Sequence, residues 1–423
     1  MIKAGFSIIE ITPPSGLYMA GYAARNSPAN GKKDSLTVRA IVVEKTALVV
    51  ADVIGIDSEM SAKVRKKSIL PDQAITITAT HTHGGPTSMK DRLNSEVNFK
   101  FYNKLEKALT DSIKIAYENR TYVKLYGGVG IEPGVAKNRR KTIGLVDKGV
   151  PVIRFDDLKG NPKAFLISYA CHPVVLGANN LLWTSDYIHF CRKKLKELYP
   201  KVTVVFATGC AGDVNTGHSA ESSLSNNFKS NRTFSEAKKV GNKIAKSVHN
   251  TKLKLLGNNC GSSETFTKLS FAQTEVEKPK VLIQKWLNEL KKNPSKNHIL
   301  KIWINWAENI MGKKNSPKLF RSTGLHWGGA SIISLPGEIF AESALRIRNI
   351  LKCSDPLFIL GYADDNPGYI PPLSEFKFGG YEIEEAHRFY GLGATFAPGS
   401  AELLEKSGRL VFYSARINST KSN

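Results

Sequence analysis

A chain of 423 residues, 41% of them hydrophobic, can build a large core, and it carries no low-complexity tract or solenoid-period repeat, which sets aside disordered and repeat architectures. Sixty Lys and Arg against 37 Asp and Glu leave a net charge of +23, an excess that favours anionic membrane surfaces and acidic substrates. The lysines are spread over many helices and no nucleic-acid motif accompanies them, so specific nucleic-acid binding is set aside.

Met1 leads directly into a strand-like run without an apolar leader, and no window approaches ~20 apolar residues. The expectation is a cytoplasmic chain, or a secreted one already trimmed. In chain order, strands are predicted over Phe6–Ile11, Val38–Val43, Ala47–Ile54 and Ala74–Ala79, the last running into His81. A hairpin follows, Val152–Phe155 and Ala164–Tyr169 around Lys159-Gly160-Asn161. Further strands are Val202–Ala207, Ala330–Leu335 and Leu357–Leu360. Apolar spacing at i, i+3 and i+4 predicts helices over Ser58–Ser68, Val97–Glu118, Asp186–Tyr199, Ser235–His249, Val281–Lys292 and Ala341–Leu351. Ser185-Asp186 and Thr233 to Glu236 have the chemistry of helix caps.

Strands alternating with helices argue an α/β fold, a mixed sheet with flanking helices, read as a single domain over 1–423. Gly217–Arg232 is polar and reads as a surface loop. Glu275–Leu319 is Lys/Trp/Asn-rich and mostly helical, an insertion or lid, and the tail Asn418–Asn423 reads as frayed. Five cysteines, an odd number without a CxxC pair, fit reduced thiols; Cys171 and Cys210 follow apolar runs and read as buried.

Chemistry concentrates at the ends of strands. His81-Thr82-His83-Gly84-Gly85-Pro86 places two imidazoles at i and i+2, where strand geometry points both to one side. Metal binding and acid/base work are then about as well founded as two structural histidines. His172, in Cys171-His172-Pro173, has Asp186 downstream as a carboxylate that could orient its second ring nitrogen. In Gly209 to Thr216 small residues permit close backbone approach to a ligand, although a plain strand-to-loop turn explains them as well. Glu338, between a strand and a helix, suits a metal ligand or a cap; Tyr369, in Asn366-Pro367-Gly368-Tyr369, says nothing by spacing alone.

Taken in order, these blocks resemble the catalytic domain of neutral, non-lysosomal ceramidases. The likeness runs from Ala4-Gly5-Phe6 and Glu10-Ile11-Thr12-Pro13 through the His81 block, Asn138-Arg139, Val146-Asp147-Lys148, His172-Pro173-Val174 with Ser185-Asp186, Pro336-Gly337-Glu338, Gly368-Tyr369-Ile370 and Tyr381-Glu382. The resemblance implies a zinc site built from strand-end loops, with His81, His172, Glu338 and Tyr369 as ligands. It also places His83 and Arg139 in the pocket. On that basis His83 is the candidate general base and proton donor, and Arg139 with Tyr381 the candidate oxyanion donors. The implied activity is hydrolysis of an amide (N-acyl) bond in a lipid or small-molecule substrate; transient contact with an anionic membrane surface is the expectation from the net charge.

Two departures bear on this. The family's Gly-Asp-Val-Ser-Pro-Asn carries a serine proposed as nucleophile, and the matching run here is Gly212-Asp213-Val214-Asn215-Thr216. An amide cannot replace a hydroxyl nucleophile, so water activated by zinc is the expected attacker and Asn215 a hydrogen-bond donor in the pocket. Ceramidases also carry a C-terminal β-sandwich domain, and this chain ends soon after its tyrosine segment. The competing readings are a zinc hydrolase of a non-lipid N-acyl compound or ester, a non-catalytic binding protein on the same fold, and a basic polyanion-binding module supported by net charge alone.

Overall fold

The computed structural model of the chain describes residues 1–93, 96–219, 231–272, 279–292 and 297–420. Valine- and isoleucine-rich runs build its larger sheet. Thr37–Val43, Thr46–Ala51 and Ile75–Ala79 are buried along their whole length, as strands covered on both faces must be. Nine strands join in the order Thr203–Thr208, Pro162–Tyr169, Val150–Asp156, Thr121–Gly130, Ile2–Glu10, Thr37–Val43, Thr46–Ala51, Ile75–Ala79, with Lys254–Leu255 attached to Thr121–Gly130. The inner ladders are antiparallel. Both outermost pairs are parallel, with Ala51 opposite Ala79 and Tyr169 opposite Thr208.

This sheet curls. Arg39 Nη1 donates to the Val204 carbonyl at 2.8 Å and Thr208 Oγ1 to the Thr80 carbonyl at 2.7 Å, so the two edges approach each other. Leu48, Val50, Leu166, Val205 and Ala207 then share one core with Trp327 and Phe358 of a second sheet. The curl sets the C-terminal end of Ile75–Ala79 beside the ends of Pro162–Tyr169 and Thr203–Thr208.

The second sheet has four strands, Cys260–Leu269, Lys318–Trp327, Ala330–Ser334 and Leu357–Leu360, the last two parallel. Single bridges, Thr78 to Ala363 and Gly209 to Leu360, tie it to the first. The helix Ser400–Thr420 lies on it so closely that glycine is required beneath. A Cβ at Gly261 would come within 2.2 Å of the Ala415 carbonyl oxygen, and one at Gly324 within 2.4 Å of that of Val411.

The α/β class and the mixed sheet with flanking helices stand as expected. The cap residues do too: Thr233 accepts from Glu236 N, and Asp186 from Tyr187 N. Some boundaries move. The first strand begins at Ile2, and Thr46–Ala51 stops short of Ile54 because Asp52 turns to accept from Thr37 N and Oγ1. Thr121–Gly130, Cys260–Leu269, Lys318–Trp327 and the helix Ser400–Thr420 are absent from the sequence reading. The expected insertion contains two helices, Pro279–Lys292 and Asn297–Ile310, and its end, from Lys318, is strand. Most of the expected loop Gly217–Arg232, at 220–230, lies outside the described residues, as do 421–423 of the tail; helix continues to Thr420. All five cysteines are free, with Cys171, Cys191 and Cys210 buried. Among the described residues no helix is long and apolar enough to cross a membrane.

Gly324→Val should push the helix Ser400–Thr420 off its sheet and destabilise the chain by about 1–3 kcal/mol. The midpoint of urea unfolding measures this directly.

Candidate metal centre

The loops after Ile75–Ala79, Pro162–Tyr169, Ala330–Ser334 and Leu357–Leu360 carry His81, His172, Glu338 and Tyr369 respectively. His81 turns inward on a left-handed backbone, φ 60°, with its ring stacked 4.1 Å from that of Tyr362, which is itself at φ 58°. Such conformations are costly for residues with a side chain and concentrate at sites the surrounding structure enforces. Glu338 and Tyr369 stand opposite each other in a short parallel pair. Gly212 packs against the backbone of Glu338, where a Cβ would lie 2.5 Å from its carbonyl oxygen. The small residue expected to admit a ligand therefore admits backbone.

Three atoms meet at the centre. His81 Nε2 and His172 Nε2 are 3.1 Å apart, and Glu338 Oε2 lies 3.3 Å from the first and 3.0 Å from the second. The far nitrogen of each ring points at a carbonyl oxygen, His81 Nδ1 at Ile54 (2.6 Å) and His172 Nδ1 at Ala211 (2.5 Å). Carbonyls only accept, so both Nδ1 atoms carry the proton and a neutral ring presents a bare lone pair at Nε2. Burial pushes the His172 imidazolium down to about 4 against the pull of Glu338, so this ring is neutral near pH 7. With both rings neutral, three acceptors converge with too few protons to share, an arrangement a cation resolves. Ligand atoms of a tetrahedral metal with bonds of ~2.0–2.2 Å lie ~3.3–3.6 Å apart, close to the spacing found.

The expected orienting carboxylate is not at His172. Asp186 accepts from Leu176 N (2.9 Å) and Tyr187 N (2.6 Å), and the Ala211 carbonyl orients the ring instead. A short peptide carbonyl contact leaves no room for the carboxylate.

Around this trio the other expected residues take distinct places. His83 borders the same cavity, its ring 5.2 Å from that of His81 and 6.0 Å from that of His172. Both its nitrogens are buried without a hydrogen-bond partner among the described residues, and burial followed by its two sister histidines holds its pKa well below the usual imidazole range. His81, His83 and His172 bring their ligand atoms within 4.8 Å of one another and could hold a metal ion; the shorter distances favour Glu338 over His83 as the third member. Arg139 donates to Glu382 Oε1 (2.8 Å) and to the Tyr369 hydroxyl (3.0 Å). Burial opposes its charge, but Tyr369 and Glu382 more than restore it. Tyr381 lines the cavity with its ring 5.9 Å from that of Tyr369. Asn215 lines it as well, but its amide is spent on its own turn: Oδ1 accepts from Gly217 N and His218 N, and Nδ2 donates to the His218 carbonyl at 2.6 Å. The cavity measures about 40 Å³, room for roughly two or three waters.

Tyr390 escaped the sequence reading. Its hydroxyl donates to Glu338 Oε1 in a short hydrogen bond, leaving Oε2 to the histidines. A tyrosine 52 residues downstream has no spacing signal that would betray it.

These features define an α/β protein with a buried histidine group at strand ends that could hold a metal. Comparison with known proteins narrows the class. No family model matches the chain. The neutral ceramidase of Drosophila pseudoobscura pseudoobscura is 25% identical over 227 residues, which are 47% of this chain and 32% of that protein, so the match spans about a third of the relative's length. The crystal structure of neutral ceramidase from Pseudomonas aeruginosa superposes with a TM-score of 0.75 at 14% identity, covering 99% of this chain and 75% of that one. A ceramidase complexed with C2 gives 0.75 at 15% identity, covering 98% and 75%. The chain has the fold of these ceramidase structures.

Two outcomes follow. Tyr390→Phe should leave the fold intact and, for a metal held by Glu338, weaken its retention about 10–100-fold, the usual cost of removing a partner of a ligand; competition with a chelator reads it. In the metal-free protein, burial foremost holds His172 and His326 at about 4 and His387 at about 3. Unfolded, they titrate near ~6.5, so their stabilisation is full above that and lost as pH falls towards ~4. Asp186 and Asp213, raised to about 6 by burial, return part of it over the same interval. The histidines prevail, and the urea midpoint should fall between about pH 7 and about pH 5.

Proposed function

We propose that the chain is a zinc-dependent hydrolase of N-acyl (amide) bonds with a ceramide-like lipid as its substrate class. The observation that carries this reading is the convergence of His81, His172 and Glu338 beside a His83 with no hydrogen-bond partner among the described residues, on a fold shared with neutral ceramidases. Two imidazole nitrogens and a carboxylate oxygen are a donor set suited to zinc, with Tyr369 as the fourth ligand of the proposed site. Zinc bound there would polarise the scissile carbonyl and make water nucleophilic near neutral pH.

The chain's own residues supply the rest. His83, kept neutral by burial and without a hydrogen-bond partner among the described residues, takes the proton from the attacking water and returns it to the leaving amine. Arg139 fixes the Tyr369 hydroxyl by its 3.0 Å hydrogen bond and holds a positive charge beside it, which opposes the burial that keeps this phenol's pKa well above its usual value. Tyr381, on the cavity wall, is the donor assigned to the oxyanion. Asn215 shapes the wall from its turn and takes no proton. A net charge of +23 would draw the chain to the anionic lipid surfaces where such a substrate resides.

The test joins metal analysis to hydrolysis of a panel of N-acyl amines and esters that includes a short-chain fluorescent ceramide. Wild type should carry about one equivalent of zinc and cleave an amide. His81→Ala with His172→Ala should lose both, while His83→Ala should keep its zinc and lose ~10²–10⁴ of its rate. Normal turnover by His83→Ala would end the proton-transfer role; a wild type without zinc would end the reading as a whole.

A further inference from the structure

A second concave site lies away from the metal centre, with about 470 Å³ of open volume, between one face of the helix Tyr187–Leu198 and the start of the strand Thr37–Val43. The helix presents His189, Arg192, Lys193, Lys196 and Glu197 to it at i, i+3, i+4, i+7 and i+8, and the strand presents Arg39. Thr184 and Asp34 separate it from the turn that bears His81 and His83: Thr184 N donates to the Gly84 carbonyl at 3.0 Å, its carbonyl accepts from Thr82 Oγ1 at 2.8 Å, and its hydroxyl donates to Asp34.

The charges in this cleft do not balance among themselves. The buried carboxylates of Asp34, in its wall, and Asp52, behind it, are already saturated. Asp52 accepts Arg192 Nη1 on both oxygens at 2.8 Å, with Thr37 N at 2.9 Å and Thr37 Oγ1 at 2.7 Å, and Asp34 accepts from Thr184 and Ser185. The cations are not saturated. Arg192 is only 4% exposed, and its Nε and Nη2 are buried with no partner among the described residues. A guanidinium is always charged and has five donors to satisfy, so an interior arginine using a single nitrogen calls for a further acceptor. Arg39, 7% exposed, spends Nε on Thr37 Oγ1 and Nη1 on the Val204 carbonyl. Burial and the proximity of Arg192 drag its pKa down to about 9, and Lys196 is lowered by burial and by both arginines. Cations crowded to the point of destabilising one another are relieved by an anion between them.

We propose that this cleft is an anion-binding site for a phosphate-type oxyanion, with Arg192 and Arg39 at its floor and Lys193 and Lys196 at its exposed rim. Planar guanidinium forks and flexible ammonium groups together suit the several acceptor oxygens of a phosphate. The phosphate belongs either to a small soluble molecule or to a lipid headgroup, and the same lysines serve both. The inference stands apart from the amide-hydrolase reading, because none of these residues has a place in the metal centre.

The experiment uses the whole chain. Calorimetric titration with inorganic phosphate, against chloride at matched ionic strength, is run on wild type, on Lys193→Ala with Lys196→Ala, and on Arg192→Lys. The lysine pair is exposed, so that variant folds even if Arg192→Lys does not. Saturable phosphate binding, weakened about tenfold or more in the lysine variant, as expected for a lost hydrogen bond between charged groups, supports the site and a soluble ligand. No phosphate binding, but retention on phosphatidic acid–phosphatidylcholine vesicles that the lysine variant loses, supports the site and assigns a headgroup. Phosphate indistinguishable from chloride together with vesicle binding unchanged in the variant overturns the proposal. Zinc content and amide cleavage should be the same in the lysine variant as in wild type, so a failure here is separable from a failure of the hydrolase reading.

Discussion

Three buried acceptors that lack the protons to satisfy one another, His81 Nε2, His172 Nε2 and Glu338 Oε2, are the constraint around which the molecule is arranged. Left alone, such a meeting is repulsive, and a chain keeps it only if the backbone leaves no other course. Here the backbone is committed at every approach. The Ile54 and Ala211 carbonyls fix the two ring protons, the short pair Glu338–Ile339 with Tyr369–Ile370 fixes the carboxylate, and the left-handed turns at His81 and Tyr362 aim one ring and stack another on it. A cation bound there would repay all these costs at once, and its binding energy would count as folding energy.

The support extends far from the centre in sequence. Glu338 is held by Tyr390, which sits in the segment Ala386–Tyr390. That segment is gripped by the helices Pro279–Lys292 and Asn297–Ile310. The Arg388 guanidinium lies 4.5 Å from the ring centre of Trp303 and 5.5–5.6 Å from those of Trp286 and Trp306, and Trp306 Nε1 donates to the Leu392 carbonyl at 2.8 Å. The Trp-rich stretch that reads as an insertion in the sequence is therefore joined to the carboxylate through one tyrosine. Its aromatic side chains account for the joint, since cation–π contacts of this kind gain strength as the arginine is withdrawn from water.

What the sequence discloses and what it hides follow from the same physics. Strands made of Val and Ile are legible because they are buried on both faces and exclude every other reading. Thr121–Gly130, with three glycines, and Cys260–Leu269, rich in Ser and Thr, are strands by virtue of their neighbours, and their composition argues for loops. Gly261 illustrates the conflict: glycine weakens a strand, yet only glycine lets the helix Ser400–Thr420 come so near. At the site, histidines two apart at a strand end announce themselves. The partner of His172 does not, because a backbone carbonyl has no sequence signature, and Asp186 is the natural but mistaken choice for a reader who can see only side chains.

Asn215 shows how a residue can line the central cavity and serve its frame. Its amide closes the turn to His218, and that turn holds Val214, whose carbonyl accepts from His172 N at 2.9 Å. On the other side the pair Val214–Asn215 lies against Lys137–Asn138, while Asn138 Nδ2 reaches Asp213 Oδ2 at 2.6 Å and Arg139 N the Asp213 carbonyl at 2.8 Å. The stretch 211–215 thus links the histidine on one side of the cavity to the arginine on the other. An amide accepts the two backbone N–H groups on its oxygen and donates to the carbonyl from its nitrogen, so it spans that link, whereas a hydroxyl must do all three from one oxygen. In the proposed reaction the nucleophile is water, so position 215 is free to be chosen for the frame, and an asparagine there is consistent with hydrolysis.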